Sequence, residues 1–449
     1  MISINGVIKL AGHASARRWI QKAGLAVVDQ GLLSGSNFLL AVFLGRYLVP
    51  QVYGAYALAY SIFLFTTGIY MNVLTEPMGV LGPARYRGRF RAYLGTVLYL
   101  HFAVTALLSL GLIVAGYFAK TVVGNQHLAM ALYGASIATI FFPLLGLGRR
   151  FAYLNFRPSL AVRGTVIYSF LLVGTLVLLK QGGHLGPLTA FLAQALAATC
   201  GAVTMLATRS NRASESSSDS DLRLATVSRG HWDYGRWAIA STGAQWLSTG
   251  AYYVIVSAIL GMKGSAELRI LQNFIMPTNQ FFAAMSVLLI PRASADFADH
   301  KEKSFGRTIA SMHVLFITTS LGYLAVISVF GRQILQFVYA GRYTEIAYLI
   351  PIAALPVLLN AISQPFSVGL RAMQAPSQVF YGNAVAAGVT MSMGALLTLH
   401  WGLPGVLVGL LLSSVAYNVV LARRYKAKCN ASFRAGRMPM TAEESAPAA

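Results

Sequence analysis

The 35 lysines and arginines of this 449-residue chain are sorted by position, and that sorting constrains the fold more than any other feature. Between Ala23 and Leu421 the sequence runs through about twelve apolar stretches, most near the ~20 residues a helix needs to cross a bilayer. Numbered alternately from the N-terminus, the gaps on one side hold 28 of the 35 basic residues. The other side holds only Arg46, Lys120, Lys180, Lys263, Arg269, Arg332 and Arg342. Positive loops stay cytoplasmic. The split therefore predicts a multi-pass protein of the bacterial inner membrane with both termini cytoplasmic. Its spans are expected at 23–44, 53–75, 92–117, 128–148, 160–179, 185–207, 237–261, 267–290, 308–330, 346–370, 378–399 and 402–421.

Composition excludes several other classes. Hydrophobic residues make up 56% and charged residues 11%, too few charges to wet a soluble protein of this size. A net charge of +22 would ordinarily suggest a nucleic-acid partner. Here the excess lies in loops where insertion demands it, and no aromatic-plus-basic module interrupts the spans, so no nucleic acid is expected. Cys200 lies in a span and Cys429 in the tail, a placement that allows no disulfide and no cysteine metal site. Residues 1–22 lack the apolar core and cleavage site of a signal peptide, and Arg17, Arg18, Trp19 and Lys22 read as an interfacial start to the first span. There is no Walker loop, HExxH or GxSxG, the eight histidines are scattered, and the Gly-x-Gly at Gly146 and Gly148 follows a span rather than a strand. The chain is expected to be no enzyme, with no catalytic residues, no metal and no cofactor.

Five segments follow from the pattern. Residues 1–22 form a cytoplasmic N-terminal segment, 23–207 a first lobe of six spans, and 208–235 a serine-rich, apolar-poor flexible linker. Residues 236–422 form a second lobe of six spans, and 423–449 a basic, disordered cytoplasmic tail. The halves look related. Gln30, Ser34 and Asn37 of span 1 have counterparts 215 residues on in Gln245, Thr249 and Tyr252 of span 7, both sets sharing one helical face. Glu76-Pro77 closes span 2 as Ile290-Pro291 closes span 8. A six-span unit enters twice from the same side, which makes a parallel repeat, and such repeats place a substrate site between their halves.

Hydrogen-bonding side chains within a span must face other helices or a wet cavity. The expected substrate cavity comprises Asp29, Gln30, Ser34 and Asn37 from span 1, Gln245, Thr249 and Tyr252 from span 7, and Gln272 and Asn279 from span 8. Pro277 should kink span 8, and Pro351, Pro356 and Pro365 should interrupt span 10. Tyr53, Tyr56, Tyr60 and Tyr70 share a narrow face of span 2, where close packing against span 1 is expected. Of 13 acidic residues only Asp29 lies within a span, while Glu76 sits at a span end. Buried Asp29 must pair with a basic group, take up a proton or face water. Arg85, Arg157, Arg163 and Arg371 flank the cytoplasmic mouth and suit an anionic head group.

The segment from Phe38 through Arg46-Tyr-Leu-Val-Pro50 to Gly54 and Leu58 resembles the opening of polysaccharide transporters, and Arg371-Ala-Met-Gln-Ala-Pro376 resembles their loop between spans 10 and 11. With six plus six spans, the chain resembles the multidrug/oligosaccharidyl-lipid/polysaccharide exporter superfamily, in particular its O-antigen and exopolysaccharide flippase branch. The resemblance implies an all-α membrane protein of twelve helices in two six-helix lobes, V-shaped and working by alternating access. It further implies transport of an undecaprenyl-pyrophosphate-linked oligosaccharide, with membrane lipids and a polysaccharide polymerase as partners. A cation-coupled multidrug antiporter of the same superfamily is the alternative, and a membrane glycan ligase stands third. In a flippase Asp29 would balance an arginine or bind sugar hydroxyls; in an antiporter it would be the coupling site.

Overall fold

The computed structural model describes residues 13–86, 89–207, 223–299, 301–373, 375 and 377–435. Almost all of them are helical. A bilayer offers no water to backbone N–H and C=O groups, so each segment must satisfy its own. The order is α1 (His13–Tyr47), α2 (Pro50–Tyr70), a π-helical turn at Met71–Thr75, α3 (Glu76–Arg85), α4 (Phe90–Thr121), α5 (Gln126–Leu154), α6 (Pro158–Gln181) and α7 (Pro187–Leu206). Then come α8 (Leu224–Thr249), α9 (Tyr252–Ile259), α10 (Gly261–Asn273), α11 (Met276–Ala298), α12 (Glu302–Val338), α13 (Ile350–Ala372), α14 (Ser377–Val389), a second π turn at Thr390–Gly394, and α15 (Ala395–Ala435).

The starts have local causes. Proline opens α2, α6 and α7, where its missing N–H is no loss. Asn125 caps α5 by accepting from the Leu128 N–H at 2.9 Å. Within α15, Gly402 turns the chain at φ 61 and ψ −136, which separates the two spans expected there. Nine stretches among the described residues are long and apolar enough to cross a membrane, the last of them holding both of these spans.

Spans 7 and 8 are absent from those nine, and each is broken. The α8 ladder is interrupted at Gly250 and Ala251, where Ser61 of α2 donates to the Gly250 carbonyl at 3.0 Å and Trp246 Nε1 donates back to Ser61 O at 3.0 Å. Span 8 does not kink at Pro277. It ends at Asn273 and restarts at Met276 with that proline in the first turn. Span 10 shows the reverse correction: α13 runs unbroken across Pro356 and Pro365. There His313 Nε2 of α12 lies 3.1 Å from the Ile362 carbonyl, supplying a partner near the proline-disrupted turn.

The last part of the expected linker, 224–235, is helical. Residues 208–222 lie outside the described residues, but 224–235 already belong to α8. Val227 and His231 are buried there, and His231 donates from Nδ1 to Val73 O at 3.0 Å and accepts the Tyr93 hydroxyl at Nε2, 2.8 Å away. Similarly, the expected disordered tail is helical to Ala435, held partly by Arg424 lying 4.6 Å over the Tyr381 ring. Residues 1–12 of the N-terminal segment and 436–449 of the tail lie outside the description.

Two compact units divide the chain otherwise than its two halves. The first is Met1–Trp246, Gly250–Asn273 and Gln333–Ile346, and the second is Leu247–Thr249, Phe274–Arg332 and Ala347–Ala449. In the first unit Tyr70, Leu74, Met78, Tyr93, Leu147 and Phe151 form an apolar core. Its α6 and α7 touch backbone to backbone, since a Cβ on Gly201 would stand 2.6 Å from the Gly164 carbonyl. In the second unit Phe282, Phe305, Met312, Phe316 and Val357 pack together.

Candidate functional site

Asp29 is fully buried in the first unit and takes the first of the three expected options. Arg149, from the end of α5, reaches its Oδ2 from Nε at 2.9 Å and from Nη2 at 2.8 Å. One turn on, the Tyr153 hydroxyl donates to the same oxygen at 2.6 Å, and Thr165 of α6 donates to Oδ1. Three helices thus converge on one carboxylate. Burying an ion this way is tolerable only when a counter-charge and further donors replace its water. The pairing was not legible from spacing, because 120 residues separate Asp29 from Arg149. Arg149 reads in the sequence as one more positive charge at a cytoplasmic span end.

The rest of the span 1 stripe divides by angle. Arg149 Nη2 also donates to Gln30 Oε1 at 3.0 Å, and Gln30 donates to Ser34 at 3.3 Å. Gln30 is exposed and Ser34 half-buried, on the border between the buried face of α1 and the face that carries exposed Val27, Val28 and Leu39. Asn37 is half-buried and accepts the Tyr168 hydroxyl at 2.7 Å and Gln194 Nε2 at 3.3 Å. Ser36 donates to Ser169 at 2.7 Å. The lower stripe carries accessible polar atoms, whereas the upper part joins α1 to α6 and α7.

The span 7 stripe is less regular. Gln245 and Thr249 are exposed, but Tyr252 lies beyond the interruption at Gly250 and is fully buried. Gln272 accepts the Tyr253 hydroxyl at 2.8 Å within the first unit. Asn279, in the second unit, accepts from Asn360 at 2.7 Å, and Asn360 accepts from Gln364 at 3.2 Å. Among the arginines expected to receive an anionic head group, Arg85, Arg163 and Arg371 are exposed and Arg157 is half-buried. Gln374 and Pro376, in the loop that follows Arg371, lie outside the description.

Two features were missed in the sequence. Glu76, at the end of span 2, pairs with Arg150 at 3.1 Å, so consecutive arginines of α5 hold Asp29 and Glu76. The signal available was the Arg149-Arg150 dipeptide itself. The second feature is Arg269. It is 6% exposed, and its guanidinium lies 4.7 Å over the Tyr60 ring in α10's contact with α2. Tyr53, Tyr56 and Tyr60 are buried; Tyr60 stacks on Phe191 of α7 and Tyr56 meets the same ring at a tilt, rather than both packing on span 1 as expected.

No protein-family model and no curated protein matches the chain. Solved structures do. An inward-facing multidrug resistance MATE family transporter of the MOP superfamily superposes with a TM-score of 0.74 at 13% identity, over 91% of this chain and 99% of that one. The eukaryotic MATE transporter AtDTX14 matches at 0.63 and 16% identity, over 93% and 99%. A MOP superfamily transporter from Pyrococcus furiosus, described as having a binding pocket of reversed polarity, matches at 0.66 and 12%, over 92% and 95%. At these identities the likeness shows the fold alone. The chain has the all-helical, multi-pass fold of membrane transporters of the MOP superfamily.

Proposed function

We propose that the chain is a cation-coupled exporter of the multidrug type, working by alternating access, with Asp29 as its coupling carboxylate. The observation that carries the proposal is the Asp29 cluster: one buried carboxylate whose counter-charge is a side chain of the same protein. A proton or Na⁺ arriving at Asp29 competes with Arg149 for the same oxygen. Loading the cation frees the guanidinium, and unloading restores the ion pair. A coupling site needs this kind of exchange, since a ligand shifts a conformational equilibrium only by its differential affinity for the two states. One further fact supports the reading: two of the solved structures of like fold are of a multidrug resistance MATE family transporter. In this reading its termini are cytoplasmic, and it resides in the inner membrane.

The second reading, flipping of a lipid-linked oligosaccharide, is favoured by one specific observation. Asp29 and Glu76 are each paired with an arginine, while Arg85, Arg163 and Arg371 remain exposed and available to an anionic head group. Lipid substrate and polymerase partner belong to that reading.

The test uses purified protein in vesicles loaded with a cationic dye, under an imposed Na⁺ or proton gradient. Gradient-driven dye movement that Asp29→Asn abolishes, with the protein still inserted, supports the antiporter. Gradient-independent behaviour, together with loss of surface glycan and accumulation of lipid-linked precursor on gene deletion, overturns it in favour of the flippase.

A further inference from the structure

Four of the seven basic residues on the charge-poor side converge on one seam of the first unit: Arg46, Lys263, Arg269 and Arg342. Topology gives positive charge no use on that side. Arg46, at the end of α1, donates from Nη1 to the carbonyls of Phe337 at 2.9 Å and Val338 at 3.1 Å, the last residues of α12. Arg342, just past α12, donates from Nη1 to the carbonyl of Leu48, just past α1, at 2.7 Å. Each helix end therefore carries the arginine that caps the other, across 291 to 294 residues of sequence. The last carbonyls of a helix lack intrahelical partners and form its negative pole, so cations placed there are stabilising.

The seam beneath is tight. Asn273 Nδ2 lies 3.1 Å from the Tyr339 hydroxyl and 3.4 Å from that of Tyr53. A Cβ on Gly45 would meet the Tyr339 ring at 2.9 Å and Ile270 at 3.0 Å, and Gly54 leaves no room for one against the Met262 carbonyl. Lys263 pairs with Glu345 at 3.3 Å. The turn that aims Arg342 is unusual: Ala340, Gly341 and Tyr343 all have positive φ, at 54°, 79° and 64°. Non-glycine residues hold such angles only where their surroundings over-determine them, often at switches.

We propose that Arg46 and Arg342 form a reciprocal latch that holds this seam closed and sets how often it opens, a proposal that rests on the alternating-access reading above. The physical need for a latch comes from Arg269. Among the described residues no ion pair holds this buried cation, and its Nε has no partner. Opening the seam returns its guanidinium to water, which favours the open form. The two caps and the Asn273 contacts oppose that gain, so closed and open forms differ by little and a modest stimulus can switch them.

The test reads seam opening directly. In purified full-length protein with Cys200→Ser and Cys429→Ser, Ser265→Cys places a thiol where the serine is fully buried. Its reaction rate with a water-soluble thiol reagent is measured in detergent. Arg46→Gln with Arg342→Gln should raise that rate roughly 10-fold, the population change expected for two lost cap contacts. Gly45→Val, which wedges the same seam without touching either arginine, should act in the same direction. Lys120→Gln, exposed on the charge-poor side at the end of α4, should not. A double variant or a wedge variant that labels at the parent rate overturns the latch, as does an equal rise in Lys120→Gln. If the double variant does not fold, the wedge variant decides. Labelling needs neither a cargo nor a membrane orientation. A protein that exports nothing but labels as expected therefore counts against the exporter reading alone.

Discussion

Among its described residues the first unit buries two charges, Asp29 and Arg269, and it treats them differently. Asp29 has a guanidinium and two hydroxyls, so its charge is cancelled and its oxygens are occupied. Arg269 has the Tyr60 ring and neighbouring hydroxyls but, among the described residues, no carboxylate. The first arrangement makes a stable buried pair that yields only to a competing cation. The second leaves a charge that gains whenever its surroundings open. A buried charge with a partner stores identity, whereas one without a partner stores a tendency to move.

The contrast can be broken at four places, in falling order of effect. Arg149→Gln strands Asp29 as an unpaired buried anion and should cost about 3–5 kcal/mol. Thermal unfolding in detergent should show the loss, and adding Asp29→Asn should recover most of it. If the double variant melts as low as the single one, the pair is not what stabilises α1 against α5. Gly54→Ala comes next. It forces α2 away from the Met262 carbonyl and should cost about 1–3 kcal/mol by overpacking. A melting temperature unchanged from wild type would mean the seam is loose. Arg269→Met removes the uncompensated cation while keeping an apolar stem against Tyr60. Its net effect on stability should stay within about 1 kcal/mol, since the lost cation–π contact is offset by relief of burial. A drop as large as that of Arg149→Gln would erase the contrast between the two charges. Smallest is Ser36→Ala, which deletes one interhelical hydrogen bond to Ser169. It should cost about 0.6 kcal/mol, the average for such bonds in membranes, and a loss several times larger would make the upper stripe part of the Asp29 network.

Much of the fold was legible because its causes are local. Most of the expected spans follow from apolar length, and the helical starts follow from Pro50, Pro158 and Pro187. Of the site, the need of Asp29 for a partner was legible, since a lone carboxylate in an apolar span has few options. The partner was not. Arg149 sits among other basic residues at a span end, and nothing in its local sequence separates a charge that only orients a helix from one that also fills a pocket. Arg46 and Arg342 were hidden by the opposite effect. They stand out as exceptions to the charge bias, but an exception says only that a residue has some use.

The break of span 8 at Phe274 and the unbroken course of α13 show where local rules end. Both segments contain proline, which removes one backbone donor wherever it sits. What replaces the lost bond depends on neighbours far away in sequence, such as the His313 ring beside the Ile362 carbonyl. By itself, the sequence determined that the chain crosses a membrane as helices, roughly where, and which side holds the positive charge. Those properties depend on transfer between water and lipid, a sum over each segment's own residues. Only the tertiary structure decided that Arg149 belongs to Asp29, that Arg269 belongs to no acid among the described residues, and that α1 and α12 cap one another. Those depend on distances of a few ångströms between groups more than a hundred residues apart or on the absence of such a neighbour, and no local pattern encodes them.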